Sequence, residues 1–445
     1  MPPKPQNSAI SKLRDDIDEL SSAIDTHKAI LQDLLNRRGD ARQRLNFYLD
    51  PMARLPLEIQ SHIFLLVDED SEDCLPKPAP GSPPMVFLSV CRLWRYIALS
   101  APKLWTQIQM ESLPRGSNYS ALCKLWLERA GNRPLSLALC GSLKLEGSVL
   151  DLLASYGPQL EHLALHVSLK GVQRPWDLQI FEEPALSSVK TLFIELADSD
   201  GAYYGNMAEW LQLLRAAPQI SRCTMSNTFT NAEPLPLQSL TLSSLESLTL
   251  GRRGAANMRG DAGSSSSAIL LLLTLPALKT LTLSELDIPD EELFAFLSRS
   301  SPPLESLEMT LMDHPEELWL GPTVSECFRL IPTLNSLDLF ALPGLATTNL
   351  FLPFIETLAS PEVLPDLRDL KFHTLSPATI NYAGVLAMLT SRATSLQRFE
   401  LRFTEYVRTD HTRDLPAEGS EVRAGLRQLS RNGMNIHIGD RENLL

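Results

Sequence analysis

Residues 278–283 read Leu-Lys-Thr-Leu-Thr-Leu, with leucine at the first, fourth and sixth positions. The same spacing of apolar residues occurs nine times between residues 160 and 401. Successive copies begin 25 to 33 residues apart, with a mean of 29.5. The copies begin at Leu160, Val189, Ile220, Leu245, Leu278, Leu304, Leu334, Leu367 and Leu396. A period of this length predicts an elongated repeat array rather than one globular core.

Each repeat is predicted to consist of a helix, a turn and a short strand. A proline stands one or two residues before six of the nine copies. Helical stretches lie upstream of many copies, such as Ala208–Arg215, Glu291–Ser298 and Gly384–Leu389. Alternate side chains of a strand point to one face, so stacked parallel strands would bury these apolar residues in one continuous core. Arg133–Leu139 is predicted to add a first strand and Met434–Ile438 a last one.

The pattern resembles the leucine-rich repeat, which accounts for the 84 leucines among 445 residues. The resemblance implies an α/β fold: a solenoid, or horseshoe, with parallel strands and outer helices. The asparagine that this family places shortly after the strand is mostly absent, with Ser168, Leu286 and Met312 in its place. We therefore expect an irregular horseshoe, with Gly251–Ser267 as a flexible loop inside the array.

The N-terminal segment 1–50 shows a different period, in which apolar residues alternate at steps of three and four. With Ile10 at heptad position a, the a positions are 10, 17, 24, 31, 38 and 45, and the d positions are 13, 20, 27, 34, 41 and 48. This repeat of 3.5 predicts a helix with an apolar seam that needs a partner. His27 and Arg38 interrupt the seam. A homodimeric coiled coil through residues 10–48 and a single helix packed on the rest of the chain both fit.

Residues 51–110 carry two short helical patterns with large apolar faces. The first runs from Leu55-Pro56 through Ile59, Ile63 and Phe64, and the second contains Val90, Cys91 and Trp94 and ends at Leu104-Trp105. An acidic, proline-rich insert at 68–84 separates them. Helices this short cannot bury such faces alone, so either the rest of the chain or a partner must cover them.

These two halves, in this order, resemble an F-box, and the string VCRLWRYIALSAPKLW is similar to the F-box-like proteins of fungi. The insert is longer than the link of a compact F-box. The resemblance implies a small all-α domain that binds the Skp adaptor and, through it, a cullin. The residues that it implies for forming or supporting the adaptor contact are Leu55, Pro56, Ile59, Ile63, Phe64, Val90, Cys91 and Trp94. A linking helix at 111–132 and the repeat domain at 133–440 would follow.

Composition limits the remaining functions. The net charge of −13 argues against a general nucleic-acid binder, and the chain has no 18-residue apolar run and no N-terminal signal peptide. The six cysteines lack metal spacing, which indicates reduced thiols in a cytoplasmic or nuclear protein. His162 and His166 are interpreted as strand residues rather than metal ligands, Trp105 and Trp126 as packing residues, and the acidic run 68–73 as a solvated loop.

No motif of nucleophilic, metal or nucleotide chemistry is present, so we expect neither an enzyme nor a cofactor. The F-box resemblance predicts the substrate-recognition subunit of an SCF-type (Skp-cullin-F-box) ubiquitin ligase, with the repeats binding a target protein. The alternative is a protein-interaction scaffold outside the ubiquitin pathway that uses the same repeat surface. The sequence does not identify the target or its binding residues.

Overall fold

The computed structural model describes the chain with gaps. The described residues are 6–69, 75–111, 119–141, 147–168, 186–197, 207–226, 238–251, 266–284, 288–312, 321–342, 350–374, 380–403, 416–417 and 419–439. The chain divides into two compact units. A helical unit comprises residues 1–105 with 129–131, and a repeat unit comprises 106–128 with 132–445.

The helical unit contains four helices and two short 3-10 turns in its described part. The helices are α1 (Gln6–Leu49), α2 (Leu57–Glu69), α3 (Phe87–Val90) and α4 (Arg92–Ser100), and the turns are Pro51–Arg54 and Pro102–Trp105. Helix α1 extends over about 66 Å, at 1.5 Å per residue. The predicted N-terminal helix is therefore confirmed. Helices α3 and α4 pack together, and α2 packs on α4.

The heptad seam of α1 is open to solvent. Its described large apolar a and d side chains, from Ile10 to Tyr48, are between 49% and 72% exposed. His27, Arg38 and Ala41 are exposed as well. Between Ile10 and Leu45, no described residue of the helical unit covers this seam.

The repeat unit is built on a twelve-stranded sheet in which every neighbouring pair is parallel. Two further two-residue strands, β6 and β8, pair only with each other. The strands are β1 (Gln107–Glu111), β2 (Leu135–Gly141), β3 (Leu160–Ser168), β4 (Thr191–Ala197), β5 (Arg222–Ser226), β6 (Leu240–Thr241), β7 (Ser247–Gly251), β8 (Leu273–Thr274), β9 (Thr280–Ser284), β10 (Ser306–Met312), β11 (Ser336–Leu342), β12 (Asp369–Thr374), β13 (Arg398–Phe403) and β14 (Asn435–Ile438). Apart from β6 and β8, each strand lies beside the next one in the sequence, as in an α/β solenoid.

Helices connect many of these strands. They are α5 (Tyr119–Ala130), α6 (Gly147–Tyr156), α7 (Met207–Ala216), α8 (Asp290–Ser300), α9 (Gly321–Arg329), α10 (Leu352–Leu358), α11 (Tyr382–Ser391) and α12 (Glu421–Arg431). The three predicted helical stretches correspond to α7, α8 and α11, and helices α8 to α12 pack each against the next.

The apolar triplets form the core of the repeat unit. All 27 of their side chains are buried, each at most 3% exposed. Strand register aligns the fourth positions in one row and the sixth in another, so that Leu281 lies between Leu248 and Leu307. Burying one leucine contributes roughly 1.5–3 kcal/mol, and each row continues from strand to strand. The predicted stacking of the triplets is thus confirmed.

The sheet starts earlier than the repeat pattern indicates. Strand β1 pairs with β2 from Gln107↔Ser136 to Glu111↔Cys140, and Ile108 and Met110 begin the two apolar rows. Residues 107–110, assigned from the sequence to the F-box-like segment, thus belong to the repeat unit. The last strand, β14, lies at the predicted place. Residues 252–265 of the expected loop and 70–73 of the acidic run lie outside the described residues.

A buried arginine holds the turn between α10 and β12. Arg392, which follows α11, has no exposed surface, and its guanidinium donates to the carbonyl oxygens of Leu358, Ser360, Val363 and Leu364. Burial lowers the pKa of the guanidinium. These bonds replace the water that the carbonyls at the end of α10 would otherwise need.

Candidate protein-interaction surfaces

The helical unit has a small aromatic core. The ring of Phe64 stacks on that of Phe87 at 4.2 Å between centroids, and Trp94 lies 5.0 Å from Phe64 and 6.0 Å from Phe87. The indole nitrogen of Trp94 donates to Oδ2 of Asp50 at 3.1 Å. Phe64 is 1% exposed, so it supports a surface from inside rather than forming part of one.

A buried glutamine fixes the start of α2. The side-chain nitrogen of Gln60 donates to the carbonyl oxygens of Met52 at 2.7 Å and Leu55 at 2.6 Å. Asp50 caps the preceding 3-10 turn by accepting from the backbone nitrogen of Met52 at 2.8 Å. These bonds hold Leu55 and Pro56 in place before the first turn of α2.

Four of the eight residues implied by the F-box resemblance are exposed. Leu55 is 37% exposed, Ile59 47% and Val90 52%, and Pro56 is also exposed. The rest, Phe64 apart, are half-buried: Ile63, Cys91 and Trp94. We call the set Leu55, Pro56, Ile59, Ile63 and Val90 the apolar face.

Further exposed apolar side chains on the same helices lie outside the set that the F-box resemblance implies. Leu66 and Val67 are 45% and 48% exposed on α2, and Leu99 is 45% exposed on α4. Ile59, Ile63 and Val67 are four residues apart, so they share one side of α2, while Gln60 and Phe64 lie on the buried side. The four-residue spacing was visible in the sequence, but which of two adjacent apolar lines is buried depends on where α3 and α4 pack.

A cleft of about 480 Å³ lies between the end of α1 and the start of α4. Its walls include Gly39, Asp50, Val90, Cys91 and Tyr96. The sulfur of Cys91 accepts from the backbone nitrogen of Trp94 at 3.4 Å and so caps α4. Cys91 therefore has a local structural role in addition to its place beside Val90.

The repeat unit presents polar side chains on the sheet face opposite its apolar rows. Register places Glu308, Asp338, Lys371 and Glu400 side by side on β10 to β13. We call these four residues the charged row. The equivalent positions on β2 to β9 carry Ala138, Ala164, Phe193, Thr224, Thr249 and Thr282.

Asp338 pairs with Lys371, the next member of the charged row, and lies close to a histidine. Asp338 lies 3.4 Å from Nζ of Lys371 and 3.0 Å from Nε2 of His373, whose ring stacks on Phe340 at 4.0 Å. Burial, reinforced by the negative charge of Asp338, raises the pKa of Glu308. The row therefore combines partly dehydrated carboxylates with an aromatic surface, which suits recognition of a polar protein segment.

Glu400 lies at the C-terminal end of this row. It is buried, and it pairs with Arg398 and with Nε of Arg402 at 3.1 Å. Burial acts to raise the pKa of its carboxyl group, but the two guanidinium groups overcome that effect and lower it. Comparing the fifth positions of successive triplets would have revealed the charged row, because its members occupy that position in four consecutive copies.

The other residues singled out in the sequence lie in strands or in buried cores. His162 and His166 lie on β3, about 13 Å apart along a strand, and His166 is 3.1 Å from Glu195. Trp105 and Trp126 are fully buried, which confirms their packing role. Burial raises the pKa of Cys223 to about 12, as expected for a core thiol.

Within the described ranges, no cluster of three or more His, Cys, Asp or Glu side chains is arranged to hold a metal ion. In the same ranges, no helix combines the length and the apolarity needed to cross a bilayer. A scan against protein-family models and a search of curated proteins found no match to the chain.

Proposed function

We propose that the chain is the substrate-recognition subunit of an SCF-type ubiquitin ligase. In this proposal the helical unit is an F-box-like domain that binds the Skp adaptor, and the repeat unit is a leucine-rich-repeat domain that binds a target protein. The receptor catalyses nothing itself. It raises the concentration of the target beside the ubiquitin-charged enzyme.

The apolar face is the observation that carries the proposal. Leu55, Ile59 and Val90 are substantially exposed although the unit beneath them has a complete aromatic core. Exposed apolar side chains in a defined position suit a protein contact. Asp50 and Gln60 hold the turn that carries Leu55, and Val90 directly precedes Cys91, which caps α4. These are also the positions that the F-box resemblance assigns to the adaptor.

The charged row supports the second half of the proposal. A parallel sheet with helices along one side offers a continuous polar surface on the other, and repeat proteins use such surfaces for binding. The charges concentrate on β10 to β13. We place the target on this part of the sheet.

Co-purification of the tagged chain from cells tests the proposal. Leu55→Asp with Ile59→Asp should reduce recovery of the Skp adaptor and the cullin by at least about tenfold, because the complex would have to bury two carboxylates without partners. Thermal unfolding should be unchanged, since both side chains are exposed. Leu125→Asp on α5 is the matched control, because Leu125 is 48% exposed and lies outside the apolar face.

Equal recovery of the adaptor with the double variant and the control would contradict the proposal. Recovery of target proteins without adaptor or cullin would favour the interaction scaffold instead. Loss of the targets in a variant of the charged row, with the adaptor retained, would support separate surfaces for the two partners.

A further inference from the structure

The contacts of α1 with α4 lie away from the part of the heptad seam between Ile10 and Leu45. Arg92 of α4 donates to Oε1 of Gln43 at 3.0 Å and lies 3.8 Å from Asp40. Asp40 and Gln43 occupy heptad positions c and f, on the far side of the helix from a and d. The seam is therefore available while α1 is attached to its own unit.

The charges of α1 divide between its two halves. Residues 10–27 contain two basic and five acidic side chains, for a net charge of −3. Residues 28–48 contain five basic and two acidic side chains, for a net charge of +3. Two copies side by side attract each other when the acidic half of one faces the basic half of the other, which requires antiparallel helices.

We propose that α1 binds α1 of a second copy of this chain as an antiparallel coiled coil centred on residue 29. Residues whose numbers sum to 58 then face each other. The resulting core layers are Ile10–Tyr48, Leu13–Leu45, Ile17–Ala41, Leu20–Arg38, Ile24–Leu34 and His27–Leu31. This self-association goes beyond the proposed function and does not depend on it.

The two interruptions of the seam favour this orientation. In parallel, in-register helices Arg38 would face Arg38, which places two guanidinium groups in the interface, and the two His27 imidazoles would face each other. In the antiparallel pair, Arg38 faces Leu20 and its guanidinium extends toward the acidic half of the second copy. Neither residue then meets its own counterpart.

Charged residues beside the core layers determine the affinity of the antiparallel helix dimer. On one flank Asp16 lies beside Arg44 of the second copy, which is attractive. On the other flank Arg14 meets Arg42, and Lys28 meets Lys28, so like charges limit the affinity. The C-terminal ends of the two helices lie about 60 Å apart, at 1.5 Å per residue, so neither helical unit obstructs the apolar face of the other.

Disulfide crosslinking of the full-length chain tests the orientation. A chain carrying both Leu13→Cys and Leu45→Cys should form a covalent dimer under mild oxidation, with residue 13 joined to residue 45 of the second copy in peptide maps. A chain carrying Leu13→Cys alone should form no 13–13 link. The unaltered chain, oxidised alongside, accounts for links through the native cysteines.

Charge exchange provides an independent measurement by light scattering or sedimentation. Asp16→Arg alone and Arg44→Asp alone should each raise the dimer dissociation constant by about threefold or more, and the two changes together should restore it. In a parallel pair these residues are about 42 Å apart along the same helix axis, so no restoration would occur. A monomer at all concentrations, a 13–13 link, or no restoration would overturn the proposal. Retained adaptor binding by a monomeric variant would leave the proposed function standing.

Discussion

Arg392 offers a sharp test of how the repeats are joined. Its guanidinium donates to four carbonyl oxygens in the turn after α10, and three of these bonds are fully buried. Arg392→Met keeps much of the side-chain volume but removes all donors. Each buried carbonyl that loses its partner costs about 1–3 kcal/mol. Relaxation of the turn and the removal of a dehydrated cation offset part of this loss.

We therefore expect Arg392→Met to lower the free energy of unfolding by about 3–5 kcal/mol, the range found when one partner of a buried charged network is removed. Urea unfolding followed by far-ultraviolet circular dichroism measures this change. Hydrogen exchange should show the loss concentrated in α10 and α11, because repeat arrays unfold locally. Arg392→Lys should recover only part of the loss, since a single ammonium cannot reproduce the planar fork.

The matched control is Arg431→Met, which alters an exposed arginine on α12. This change should alter stability by no more than about 0.5 kcal/mol. If Arg392→Met were as mild as Arg431→Met, the guanidinium would not be holding the turn, and the reasoning from its four bonds would be refuted.

Two further predictions concern the apolar rows and the charged row. Leu281→Ala should destabilise the repeat unit by about 2–5 kcal/mol, because Leu281 is fully buried between neighbouring strands. Thr282→Ala, on the polar face of the same strand, should cost less than about 1 kcal/mol. Comparable urea midpoints for the two variants would contradict the assignment of faces. The pKa of Glu400 is lowered in the folded chain, so its stabilisation is present above the ordinary glutamate pKa of 4.5 and is lost as pH falls through the lowered value. Glu400→Gln should therefore lose less stability on acidification than the unaltered chain. The free energy of unfolding measured from pH 6 to about pH 2 tests this, and the same pH dependence in both chains would contradict it.

The repeat array could be predicted from the sequence because the same spacing of apolar residues occurs nine times. Every triplet from Leu160 to Leu401 is buried as predicted. Strand alternation explains the burial of the fourth and sixth positions, whereas the first position precedes the strand in all copies but the one at Leu160. Strand β1 was missed because its triplet, Trp105-x-x-Ile108-x-Met110, overlaps the Leu104-Trp105 end of the F-box-like pattern, to which residues 51–110 were assigned. The triplet spacing itself is the same as in the other repeats.

The exposed surfaces were harder to predict from the sequence, because they depend on contacts between residues that are far apart in the chain. Phe64 and Val67 belong to one apolar run, yet Phe64 is 1% exposed and Val67 48%, because Phe87 and Trp94 pack on one side of α2 only. The members of the charged row share the fifth position of four consecutive triplets, but the register of the four strands is what makes them neighbours. Periodicity identifies which residues alternate, whereas packing decides which of them a partner can reach.

Direct titration of the purified full-length chain with purified Skp adaptor tests the central claim most closely. Isothermal titration calorimetry should show a complex with one adaptor per chain and a negative heat-capacity change, the mark of apolar burial. The Leu55→Asp, Ile59→Asp variant should bind at least about tenfold more weakly, with Leu125→Asp unchanged. No heat of binding to the unaltered chain, or equal affinity for both variants, would contradict the account.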